Sequence, residues 1–153
     1  MRTRADALYR IAWRHAHALP TPLGYGLSRA GADAVWTVQR LRRGRTGVDQ
    51  LEKNLARLLP ASATAAQVRR TSRAGMRSYM RYFYEAFALP GVREEQILAR
   101  VRPELPPQVH TDLKQGSIVL AMSHMGNWDL VGAWACRRLA TVLTVAERLE
   151  PVD

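Results

Sequence analysis

Apolar residues recur at steps of three and four through the first hundred positions, the spacing of one face of an α-helix. Leu8, Ala12, Trp13 and Ala16 begin the series, with Arg4, Arg10 and Arg14 among them. "LPTPLG" then interrupts, where Thr21 is suited to cap a helix and Pro22 to fill its first turn. Leu23, Leu27, Ala30, Ala34, Val38 and Leu41 predict a long second helix with an apolar stripe that it can bury, ended by "RRGRTG" at 42–47. Leu51, Leu55 and Leu58 predict a third helix, closed by Pro60. Thr64 and Gln67 form a capping box for a fourth, which runs through Val68, Met76, Tyr79, Met80, Phe83 and Phe87 to "LPG" at 89–91. A short helix is expected in "VREEQILARV", before Pro103, Pro106 and Pro107 mark a loop.

Beyond Pro107 the pattern changes. "SIVLAM" at 117–122 is apolar on both faces and rich in β-formers, as a buried parallel strand is. "NWDLVGAWACRRL" has helical spacing, and "ATVLTVA" at 140–146 reads as a second buried strand. Strand, helix and strand make a right-handed βαβ unit. The expected fold class is therefore α/β, with a helical region over 1–107 followed at 108–153 by the start of a βαβ sheet. Two strands alone do not make a stable sheet, so this unit is expected to be incomplete.

Composition narrows the partners. Of 153 residues, 23 are Lys or Arg and 13 are Asp or Glu, for a formal net charge of +10. Such a surplus favours anionic partners, whether nucleic acid, acidic headgroups or phosphorylated substrates. An Arg-rich, GC-rich coding sequence accounts for the same numbers equally well. The one cysteine, Cys136, excludes an internal disulfide and a cysteine-based zinc site, and reads as a small buried residue. The N-terminus lacks the unbroken apolar core of a signal peptide. The apolar run 116–136 has the length of a membrane span. His124, Asn127 and Asp129 would sit near its centre, where an acid alone costs roughly 2.5–3.5 kcal/mol, so strand, turn and helix is the better reading.

His124 then stands just past the end of the expected strand, the edge at which open α/β sheets hold their ligands. Asp129 lies in the first turn of the following helix, where an acid also suits the helix dipole. An imidazole beside a carboxylate is a general base with a fixed tautomer. Spacing alone leaves the bland reading open, in which His124 is an edge histidine and Asp129 only a cap.

"SHMGNWDLVGAWA" resembles the His-x4-Asp/Glu motif of the bacterial lysophospholipid and lipid A acyltransferase superfamily, and "H-x-GNWD" is similar to its lauroyl/myristoyl branch. "LEKNLARLL" at 51–59, "SYMRYFYEAFALPG" at 78–91 and "TVAERLEP" at 144–151 resemble the actinobacterial branch that acylates phosphatidylinositol mannosides. The resemblance implies an O-acyltransferase with His124 as general base and Asp129 as its partner. It further implies acyl-CoA as co-substrate with no other cofactor and no metal, and an anionic glycolipid acceptor at the cytoplasmic face of the plasma membrane. Glu147 and Arg148 fall on the family's Glu-Arg pair and become candidates for the acceptor site. Ser123 stands where the family often has proline. The family's catalytic domain continues for roughly as many residues again, since such a sheet needs several strands, so 1–153 is expected to be its N-terminal portion.

The rival expectation is a basic helical nucleic-acid-binding protein without catalytic activity. Arg40, Arg42, Arg43, Arg45, Arg69, Arg70, Arg73 and Arg77 would line its phosphate-binding face. No zinc-finger or RNA-binding signature accompanies them, and no nucleic-acid partner is expected. Tyr79, Tyr82, Phe83, Tyr84 and Phe87 suit an acyl-chain groove, but such a stripe is more often helix core.

Overall fold

The helices begin where the sequence supplies partners for otherwise unbonded N–H groups. The computed structural model describes residues 4–42, 44, 46–123 and 125–144. Among them are seven α-helices: α1 (Arg4–His15), α2 (Thr21–Leu41), α3 (Gly47–Leu58), α4 (Ala65–Ala88), α5 (Glu94–Arg100), α6 (Pro107–Gln115) and α7 (Trp128–Arg138). Single 3₁₀ turns follow α1 at Ala16–Ala18 and α4 at Leu89–Gly91. The expected capping box of α4 is present. Thr64 Oγ1 accepts from the Gln67 N–H, and Gln67 Oε1 accepts from the Thr64 N–H at 2.6 Å. Thr46 and Asp49 form a second box at α3. At α2 the cap position is Pro20, and Thr21 is already helical.

The long helix α4 packs against α1, α2 and α3. Val48 and Ser72 are fully buried in this bundle, as is Ala32. Trp13 meets Phe87 edge-on at 5.3 Å between ring centroids, and Phe83 adjoins Phe87. Phe87 is buried and Phe83 half-buried, so these rings act as helix core, whereas Tyr79 is exposed. The hydroxyl of Ser72 is fully engaged. It accepts from Trp36 Nε1 at 2.8 Å and lies 3.0 Å from Glu52 Oε1, which in turn takes Arg40 Nη1 at 2.6 Å. One carboxylate and one hydroxyl thereby tie α2, α3 and α4 together, with each polar group satisfied.

Three expectations are corrected here. The stripe Leu23, Leu27, Val38 and Leu41 on α2 faces outward, with Leu27 54% and Leu41 77% exposed. The packed face instead carries Gly24, Ala32 and Trp36. Helical spacing identifies one face of a helix but not which way it points. The second correction concerns fold class. Among the described residues there is no strand and no sheet, so the start of a βαβ unit is not found and these residues are all-α. Residues 117–123 and 140–144 are irregular, with Val119 98% and Leu143 97% exposed. A strand is defined by a ladder to a neighbour, and neither segment lies in one, so β-forming composition is insufficient. Residues 145 and 146 of the second expected strand lie outside the described residues. Cys136, expected to be buried, is exposed.

Gly24 on α2 faces Tyr84 of α4. A Cβ built there would clash with the ring of Tyr84, which is held edge-on against Tyr25. Gly24→Ala is expected to destabilise the fold by about 1–3 kcal/mol, the usual scale of overpacking, measurable by urea unfolding. Asp33 on α2 accepts from Arg73 Nε at 2.9 Å and from Arg77 Nε at 2.7 Å and Nη2 at 2.6 Å, all from α4. The hydrogen bonds from Arg77 and Arg73 hold its carboxyl well below the usual carboxylate range. A depressed folded-state pKa gives stability that is present above the unfolded value and is lost as pH falls toward the folded one. The melting difference between wild type and Asp33→Asn is therefore expected to be largest near neutrality and to narrow as pH falls below about 4.

Candidate active site

The turn before α7 folds back at Gly126, whose φ of +66° is a left-handed conformation that glycine adopts without strain. Asn127 follows as the N-cap, its Oδ1 accepting from the Leu130 N–H at 3.0 Å. The cap role is therefore filled by Asn127, and the Asp129 carboxylate is engaged elsewhere. Asp129 Oδ2 accepts from the Tyr82 hydroxyl at 2.7 Å, the short distance of a charge-assisted bond. Tyr82 stacks on Trp128, with ring centroids 6.3 Å apart.

One turn along α4 from Tyr82, Glu85 makes the companion contact. Its Oε2 accepts from Asn127 Nδ2 at 2.9 Å and its Oε1 from the Tyr25 hydroxyl at 3.0 Å, while Arg81 pairs with it at 3.2 Å. The turn is thus held at two points by side chains three apart on one helix, which share a face. Burial, then the Asp129 hydrogen bond and charge, push the Tyr82 phenol up to about 12, so it is a donor at any working pH. Burial and the bond to Glu85 likewise raise Tyr25.

A cleft of about 230 Å³ opens on the Glu85 side of this turn, lined among others by His17, Tyr25, Gln96, Arg100 and Asn127. Among the described residues no cluster of His, Cys, Asp or Glu could hold a metal ion.

Of the four residues singled out in the sequence, Asp129 is the one the structure describes. His124, Glu147 and Arg148 lie outside the described residues. Glu85 does not stand out in the spacing of the sequence, and Tyr82 falls there in the aromatic stripe of α4. One signal was available: Glu85 is the single acid in the whole of α4, three positions after Tyr82.

Of the proposed phosphate-binding arginines, Arg40 is bonded to Glu52, and Arg73 and Arg77 to Asp33, while Arg43 and Arg45 lie outside the described residues. Arg42, Arg69 and Arg70 of the same set are exposed on the surface.

Comparison with known proteins gives the family. The chain is 33% identical to a phosphatidylinositol mannoside acyltransferase of Mycolicibacterium smegmatis over 95% of its length, and 35% identical to one of Mycobacterium tuberculosis over 98%. It covers 46% of each, so it spans about half the length of the curated relatives it matches. No solved structure matches it. The family model for bacterial lipid A biosynthesis acyltransferases matches residues 1–153, and the chain belongs to that family.

Proposed function

We propose that this chain carries the acyl-transfer dyad of a glycolipid O-acyltransferase, with His124 as general base and Asp129 as the carboxylate that holds it. The observation that carries the reading is the disposition of Asp129. A carboxylate in the first turn of a helix that leaves the capping to its neighbour, and is fixed by a phenol from another helix, is arranged for a purpose other than ending the backbone. Membership in the acyltransferase family supports the reaction class.

In this reading the imidazole of His124 takes the proton from a sugar hydroxyl of the acceptor. The resulting oxygen nucleophile attacks the thioester carbonyl of an acyl-CoA. The tetrahedral intermediate collapses with cleavage of the carbon–sulfur bond, and the imidazolium returns the proton to the departing thiolate. Asp129 stabilises the imidazolium. Glu147 and Arg148 belong to the acceptor site, and the acceptor is a phosphatidylinositol mannoside, the substrate class in the names of the relatives. No cofactor is required beyond acyl-CoA as co-substrate.

The same reading places the protein at the cytoplasmic face of the plasma membrane as a peripheral protein. The outward stripe of α2 supports it: Leu23 is 50% exposed, Leu27 and Leu41 more, and Ile11 and Trp13 of α1 are also over half exposed. Apolar residues in a basic chain suit an anionic interface. No helix among the described residues is long and apolar enough to cross a membrane.

His124→Ala, in the natural protein that carries this sequence, is expected to lower palmitoyl transfer from palmitoyl-CoA to a phosphatidylinositol mannoside by about a hundredfold or more. Asp129→Asn should cost less, because the amide fills the space without stabilising an imidazolium. Near-normal transfer by either variant removes that residue from the mechanism. Paired Leu23→Asp and Leu27→Asp are expected to weaken sedimentation with phosphatidylinositol-containing vesicles by roughly tenfold or more, since each buried leucine contributes about 1.5–3 kcal/mol. Undiminished sedimentation would exclude the α2 stripe as the membrane contact.

A further inference from the structure

We infer that Tyr82 is a positioning residue of the acyl-transfer site, its phenol fixing the Asp129 carboxylate that in turn orients His124. The inference rests on the dyad proposed above and adds to it a residue from a different helix. The geometry has three parts. The Tyr82 hydroxyl donates to Asp129 Oδ2 at 2.7 Å. The Tyr82 ring is held by its neighbours, stacked on Trp128 and edge-on to Phe83 at 5.5 Å, so the hydroxyl has little freedom to wander. Three residues on, Glu85 anchors Asn127, the cap of the helix that carries Asp129. Both the backbone at the start of α7 and the carboxylate itself are therefore located by α4.

A carboxylate can accept about four hydrogen bonds on its two oxygens. One phenol bond selects a rotamer and leaves acceptor capacity for an imidazole N–H. Catalytic groups depend on such outer partners because small displacements of a general base are costly in rate. A tyrosine is suited to the position. It reaches across from a neighbouring helix, and its raised pKa keeps the proton on the phenol, so it donates to the carboxylate without adding a second negative charge.

The test is a double-mutant cycle in the natural protein, with kcat and KM measured separately. Tyr82→Phe keeps the ring and removes the hydroxyl. It is expected to lower kcat about ten- to a hundredfold, the scale of a hydrogen bond to a charged group, with KM changed by no more than about twofold. In an Asp129→Asn background the same substitution should add about twofold or less, because residues acting as a unit are not additive.

Wild-type kcat in Tyr82→Phe, or a Tyr82 effect carried undiminished into Asp129→Asn, would overturn the inference while leaving the dyad intact. Full activity of both His124→Ala and Asp129→Asn would instead overturn the dyad, and the role of Tyr82 with it. Should Tyr82→Phe not fold, 3-fluorotyrosine at position 82 retains the hydroxyl and the packing. Its ¹⁹F resonance should shift on Asp129→Asn, and an unmoved resonance would overturn the inference.

Discussion

Tyr82 and Glu85 are three residues apart on one helix, and that step fixes the turn before α7 against the bundle, while α7 itself packs on α5. Residues so spaced share a helix face. On this face they meet Asn127 and Asp129, two residues apart at the start of α7. A helical face thus reads a turn, phenol to carboxylate and carboxylate to amide. The turn must present its side chains in that order, which Gly126 permits by its positive φ and Asn127 secures by capping. A change in the register of α4 by one residue would rotate both contacts by about 100° and release the turn.

At its other end the same helix solves a different problem. Ser72 is fully buried, and a buried hydroxyl without partners is costly. Trp36 from α2 and Glu52 from α3 supply the partners, and Arg40 neutralises Glu52. Asp33, one helical turn away from Trp36, pairs with Arg73 and Arg77. Three of the arginines expected on a phosphate-binding face, Arg40, Arg73 and Arg77, are therefore engaged within the bundle. Arginines that count toward a large net charge are here the counter-ions of the acids that join α2, α3 and α4.

The division of labour along α4 bears on function. A bundle core of modest side chains is joined to a polar contact that positions a carboxylate, and no separate scaffold is needed for the latter. The carboxylate lies in the stretch that resembles the family's motif, and the helix that fixes it comes well before that stretch, Tyr82 and Asp129 being 47 positions apart. Sites assembled in this way take their precision from rigid elements rather than from the loop that bears the chemistry.

The sequence by itself determined the helices, because their signals are local. The Thr64–Gln67 capping box, the prolines after α3 and before α6 and the three-and-four spacing each act within one or two turns. The family was legible for the same reason, since the stretches that resemble it, among them the one around His124 and Asp129, are contiguous. Three things were settled only by the tertiary structure. The α2 stripe of Leu23, Leu27 and Leu41 was found but its direction was not, because amphipathicity does not say which face meets a neighbour when small residues such as Gly24 and Ala32 allow closer packing. The two expected strands depended on partners, and no ladder forms among the described residues, so apolar β-forming composition misled. The bond from Tyr82 to Asp129 spans 47 residues and has no signature in spacing, because it exists only where two helices bring a phenol and a carboxylate within 2.7 Å.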